Sequence, residues 1–142
     1  MLEVLNALRD HYVSKVFSKC HDESLSPYER LRELSVRAEE IFTFEETGDF
    51  FVNIGLETIN SNPSFAQVIK DFFRDWIGSL SDLYRHVLDD EDALVQAERV
   101  VAELEGSVIM MKILGDVNYL KRSSIRVLNE FKELEKLKIS KI

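Results

Sequence analysis

The sequence predicts an all-helical domain of about six helices, and three observations carry that prediction. Apolar residues recur every three or four positions along nearly the whole chain, the period of a helix with one buried side. Glycine (5) and proline (2) are scarce for 142 residues, too few for the many tight turns of a β-sandwich or barrel. Both prolines follow a polar capping residue, at Ser26-Pro27 and Asn62-Pro63, an order that opens helices.

Each element follows from its own pattern. The first helix spans 1–18, with Val4, Leu5, Leu8, Tyr12 and Val16 on one stripe. It begins with no capping residue before it, which suggests an absent upstream segment. Lys19 to Leu25 is polar and reads as a loop. Ser26 and Glu29 then form a capping box for a helix over 26–45, with Leu31, Leu34, Ala38 and Ile41 on one face. Thr47-Gly48-Asp49 breaks that pattern, and a short helix follows over 50–60. Asn62 caps a long helix over 63–88, striped by Phe65, Ile69, Phe72, Trp76, Leu80, Leu83 and Val87. Asp89 to Asp92 place acidic groups at the positive end of a helix over 91–114. Gly115 is a left-handed stop, and Asp116 caps a last helix over 117–137, with a frayed tail beyond it.

Composition limits function. With 45% hydrophobic and 31% charged residues over 142 positions, residues 1–142 read as one globular domain. A single cysteine, Cys20, excludes an intrachain disulfide and a cysteine-built zinc site. A net charge of −8 repels phosphate backbones and anionic lipid, so these residues alone make a poor nucleic-acid binder. Met1 to Lys19 carries Glu3, Arg9, Asp10 and Lys15 and has no uncharged apolar segment for export. The longest apolar run is Val108-Ile109-Met110-Met111, far short of the ~20 residues that span a bilayer. The expected location is cytoplasmic.

The fifth helix points to a partner. Leu94, Ala97, Val101, Leu104, Val108 and Met111 make one stripe, while Ile109, Met110, Ile113 and Leu114 fall outside it. A helix apolar on two sides must bury both. Gly106 and Ser107 offer a flat patch for close helix approach, and the sixth helix adds Tyr119 and Ile125 beyond its stripe. Two helices from each of two copies could form a two-fold four-helix interface, with Val101, Leu104, Val108, Ile109, Leu120, Val127 and Phe131 as the candidate seam. The alternative is a monomer in which these are simply the central helices.

Catalytic chemistry finds no support in the pattern. There is no Gly-rich phosphate loop, nucleophile elbow or His-Glu-x-x-His. Leu8, Ser18 and Leu83 stand three before the histidines, so the Glu-x-x-His pairs of di-iron bundles are missing too. Asp82 and His86, four apart, read as a surface contact, and Cys20-His21 as a polar loop. The glutamates at 39, 40, 45 and 46 read as a solvated face. No enzyme, metal or cofactor is expected. The middle helices are rich in aromatic residues, which suits either a core or a pocket for an apolar guest. Phe51, Phe72, Trp76 and Tyr84 are its candidate walls, and Asn53, Glu57 and Glu105 its candidate polar edge.

Gly48-Asp49-Phe50-Phe51-Val52-Asn53-Ile54-Gly55-Leu56-Glu57, followed by Ser61-Asn62-Pro63, resembles the Gly-Cys-x-x-x-Asn-x-x-x-Glu…Asp/Asn-Pro stretch of one branch of the TetR-type transcriptional regulators. Leu104-Glu105-Gly106-Ser107-Val108 resembles their Leu-Glu-Gly-Ala segment, and Gly115-Asp116 the turn before their last helix. Asp49 stands where the family usually has cysteine, so a role tied to that thiol is lost. The resemblance implies the effector-binding and dimerisation domain of a one-component repressor. Its first five helices would enclose a small, partly apolar inducer, and the last two would build a homodimer. DNA would be contacted only through a helix-turn-helix domain absent from these residues. A helical homodimeric or heterodimeric interaction module without a small-molecule ligand is the competing reading.

Overall fold

A computed structural model of the protein describes residues 1–44 and 50–140. Among these residues it has six α-helices and no strand. They are α1 (Leu2–Lys15), α2 (Pro27–Phe44), α3 (Phe50–Thr58), α4 (Pro63–Tyr84), α5 (Asp90–Leu114) and α6 (Asn118–Ser140). The expected break at Thr47-Gly48-Asp49, Glu45 and Glu46 of the acidic face, and the last two residues of the tail lie outside the described residues.

Local chemistry sets the helix starts. The Ser26 Oγ accepts a hydrogen bond from the Glu29 N–H (3.2 Å), and the Glu29 carboxylate accepts from the Ser26 N–H (3.3 Å). Each half of this capping box satisfies a donor that the helix leaves open. The Asn62 Oδ1 accepts from the Phe65 N–H (3.2 Å) and the Asp89 Oδ1 from the Asp92 N–H (2.8 Å). At the other end of α5, Gly115 sits at φ 66°, where a side chain would strain the backbone, and its N–H donates to the Met111 carbonyl.

α4 is the hub. Ile69, Phe72, Trp76, Leu80 and Leu83 are buried along it, and α1, α3 and α5 all pack against it. α6 closes the other side of α5 and reaches α2. Arg9 on α1 pins that helix to α4 through a 2.7 Å ion pair with Asp75. Gly55 lets α3 sit directly on α4, since a Cβ there would lie 3.1 Å from Ile69.

Two segments differ from the sequence reading. The expected polar loop from Lys19 begins instead as a 3-10 turn, Phe17–His21, that buries Phe17 and Cys20. Its Lys19 N–H donates to the Val16 carbonyl, and the tight winding carries apolar groups inward within a stretch that is polar by composition. α4 ends at Tyr84 rather than Leu88. The N–H groups of Val87 and Leu88 both donate to the Tyr84 carbonyl, which turns the chain so that α5 can run back along α4.

Replacing Ser26 with alanine removes one half of the capping box. Chemical denaturation is expected to report a loss of about 0.5–2 kcal/mol with an unchanged denaturant dependence.

Candidate functional site

The aromatic residues of the middle helices meet around Phe72. Phe51 of α3 stacks on Phe72 with ring centres 4.1 Å apart and planes within 6°. Tyr12 of α1 meets Phe72 edge-on at 5.2 Å, and Phe17 of the 3-10 turn lies parallel to Trp76 at 6.2 Å. Such pairs add about 0.5–1.5 kcal/mol each beyond the area they bury.

Beside this cluster lies a narrow apolar cavity of about 30 Å³. Phe72, Trp76 and Leu80 of α4 form one wall, Leu34, Ser35 and Ala38 of α2 another. One water needs ~10–15 Å³ and a drug-sized guest ~300–1,000 Å³. The cavity is therefore closed to any effector of that size in this conformation, and its apolar lining favours a dry interior.

The candidate ligand residues divide among several places. Phe51, Phe72 and Trp76 belong to one aromatic cluster, and the latter two line the cavity. Tyr84 is elsewhere, packed on Phe131 of α6 at 5.4 Å. Asn53 and Glu57 stand on the exposed side of α3. Asn53 meets half-buried Glu105 across an open groove of about 350 Å³ between α3 and α5. None of the three polar residues reaches the interior cavity. The cavity instead takes Tyr12, Phe17 and Ser35, which were not singled out from sequence. Tyr12 was legible as part of the α1 stripe, whereas the inward turn of Phe17 depends on the 3-10 segment.

The candidate seam also changes. Val101, Leu104, Val108, Leu120, Val127 and Phe131 are already covered within one chain. Their side chains are buried in the single chain, which leaves little surface for a second copy. Ile109 is exposed at 45%. Beside it Met110, Ile113 (76%) and Leu114 are open, as is Ile125 (56%) on α6. Nothing lies within 4 Å of a Cβ built at Gly106, so the flat patch there is open outward. Ser107 faces the other way, and its hydroxyl is hydrogen-bonded to that of Ser123 between α5 and α6. Arg126 pairs with Glu103 (2.8 Å) and Arg99 with Glu130, which ties the two helices beside the patch.

This chain matches the model of the "Transcriptional regulator LmrA/YxaF-like, C-terminal domain" family over residues 27–124, more than half its length. The chain belongs to the TetR-family C-terminal domains. Domains of this family in general dimerise and bind small effectors, and they serve transcriptional regulators. Comparison with curated proteins and with solved structures gave no match. Among the described residues, no helix of this TetR-family domain is long and apolar enough to cross a membrane.

The titratable groups at the far end of α4 are spread over several contacts. Asp82 pairs with Arg85 and lies 3.8 Å from His21 Nε2, while His86 Nε2 faces Arg30 Nη1 at 3.5 Å. The expected Asp82–His86 contact is thus replaced by partners from three segments. Burial, reinforced by Asp82, pushes the Cys20 thiol up to about 12. Burial likewise pushes the Tyr84 hydroxyl up to about 12, against the relief given by the Gln96 side chain.

Two outcomes follow for the interior. Phe72→Ala is expected to cost about 3–5 kcal/mol and to enlarge the cavity, so benzene should raise the melting temperature of the variant more than that of the parent. Cys20 should resist a disulfide-exchange reagent at neutral pH until the domain unfolds. Because both raised groups ionise more easily in the unfolded chain, their contribution to stability is complete below the ordinary thiol range. It is lost as pH climbs from there toward about 12, which urea titrations at stepped pH will read.

Proposed function

We propose that this chain is the sensing and pairing half of a cytoplasmic TetR-type repressor. It forms a homodimer through the open side of α5 and α6 and takes a small, partly apolar effector into its interior. The observation that carries the reading is the uncovered apolar face at the C-terminal half of α5. Ile109, Met110, Ile113 and Leu114 are exposed together, next to a bare glycine. Contiguous apolar surface of this kind marks an interaction site in a protein that is otherwise strongly charged. Gly106 allows a second α5 to approach closely, and Ile125 extends the patch onto α6.

The effector site in this reading is the cavity between α1, the 3-10 turn, α2, α4 and α5. Its present volume requires that a guest push elements apart rather than fill a ready space. α1 and α2 form the wall facing α4, so they are the elements that would yield, at the cost of loosening the Arg9–Asp75 pair. Tyr12, Leu34 and Ala38 would then move away from Phe72 and Trp76. The guest itself is apolar or aromatic, since the lining offers few polar groups. The net charge of −8 argues that contact with DNA is left to other residues.

The closed cavity is also what an interaction module without a ligand would have, in homodimers or in heterodimers with a relative. Native mass spectrometry of freshly purified protein separates the two readings, because a carried-over small molecule supports the sensor and a bare dimer the module.

Sedimentation in dilute buffer should give a particle of twice the 16.5 kDa chain mass. Ile109→Asp with Ile113→Asp should yield a folded monomer, because a charge in a dry seam is strongly unfavourable while both side chains are exposed in the single chain. Parent protein that sediments as a single chain at all concentrations would refute the pairing.

A further inference from the structure

A second apolar recess lies outside the interior cavity, separated from the α3–α5 groove by Val52 and Leu56. It is a groove of about 480 Å³ between α3 and α4. Phe51 and Leu56 of α3, Ile59 just beyond its end, and Ile69, Phe73 and Ile77 of α4 line it. Its volume falls in the ~300–1,000 Å³ range of small-molecule sites. Phe51 to Ile59 runs about 12 Å along the helix axis at 1.5 Å per residue, so the groove is elongated rather than round. Leu56 is 74% exposed on its wall, which leaves oil-like surface facing water.

Charge gives the groove its character. The chain carries −8 overall, yet among the described residues the charged ones lining this recess are Lys70 and Arg74. They stand four apart, on the same side of α4. Lys70 has no ion pair among the described residues, and Arg74 has only Asp71, at 3.7 Å. Asp71 in turn accepts a hydrogen bond from Gln67 (2.9 Å). The neighbouring α3–α5 groove, by contrast, includes Glu105 as well as Lys112, so its charges are mixed.

We propose that the α3–α4 groove binds an amphipathic carboxylate, its alkyl chain lying against Phe51, Leu56, Ile59 and Phe73 and its head on Lys70 and Arg74. The occupant is a free, unbranched, medium-chain acid. The groove, about 12 Å long, is too short for a long chain laid straight. An ammonium and a guanidinium one turn apart supply charge-assisted hydrogen bonds to both oxygens of one carboxylate. The trough covers the tail, which an uncharged rim would do equally well for any hydrocarbon. The site does not depend on dimerisation, nor on an effector entering the interior.

Decanoate is the probe, titrated below its own aggregation concentration into isotope-labelled protein and followed by backbone amide shifts. The proposal expects saturable shifts along α3 and at residues 69–77. Decanol should bind more weakly, and Lys70→Glu with Arg74→Glu should weaken decanoate about tenfold or more. Both substituted side chains are exposed, so the variant should keep the parent's melting temperature. Three results would overturn the assignment. Shifts gathered at Leu34, Ala38 and Leu80 would place the acid in the interior. Equal affinity in the charge-reversed variant would remove the head-group site. An oligomer dispersed by Ile59→Asp, a residue of this groove and not of the α3–α5 one, would make the groove a contact between copies.

Discussion

The packing of the α4 stripe is the interaction on which the other contacts rest. Phe72 touches the rings of Tyr12, Phe17, Phe51 and Trp76, so one side chain joins α1, the 3-10 turn and α3 to the central helix. These contacts bring together segments far apart in sequence, and their aromatic edges and faces fix relative orientation as well as distance. Arg9–Asp75 adds a polar pin at one end of the same surface, and past the opposite end Arg30 Nη1 of α2 faces His86 Nε2 at 3.5 Å. Loosening the stripe would therefore release the N-terminal segment and the cavity wall together.

α5 divides its apolar residues between two tasks. Val100 and Leu104 reach the cavity wall, while Ile109 and Ile113, about one and a half and two and a half turns beyond Leu104, face outward. In the proposed function this division has a consequence. A guest that displaces the inner residues acts on the same rigid helix that presents the outer ones to a second copy. Effector and pairing would then share one structural element, and any coupling between them is a difference in free energy between two arrangements of that helix. Ser107–Ser123 and the ion pairs between α5 and α6 would hold the two helices as a unit while it moves.

The helical class was legible because period, caps and breakers all agree. The capping box at Ser26, the caps at Asn62 and Asp89 and the left-handed Gly115 appear in the chain as local chemistry, which neighbouring residues alone can determine. The site was less legible, because it depends on which side of each helix turns inward. Two apolar sides on α5 announce a partner, but the sequence cannot rank them. Leu104 and Val108 fell inward and Ile113 outward only because α4 and α6 approach from particular directions. Asn53 and Glu57 share a side of α3 with Leu56, and the close seat of Gly55 on Ile69 turns that side to solvent. Phe17 and Cys20 were hidden by a stretch whose average composition is polar. The family resemblance supplied the order of elements without the register of each helix.

The claim that the uncovered side of α5 and α6 meets a second copy is tested most directly by contacts between chains in solution. A sample mixed from isotope-labelled and unlabelled protein, read by an isotope-filtered Overhauser experiment, reports only those contacts. The account predicts cross-peaks from the methyl groups of Ile109, Ile113 and Ile125, and none from the buried Ile41 and Ile69. Cross-peaks confined to Ile59 and Ile77, or no contact between chains at all, would contradict it.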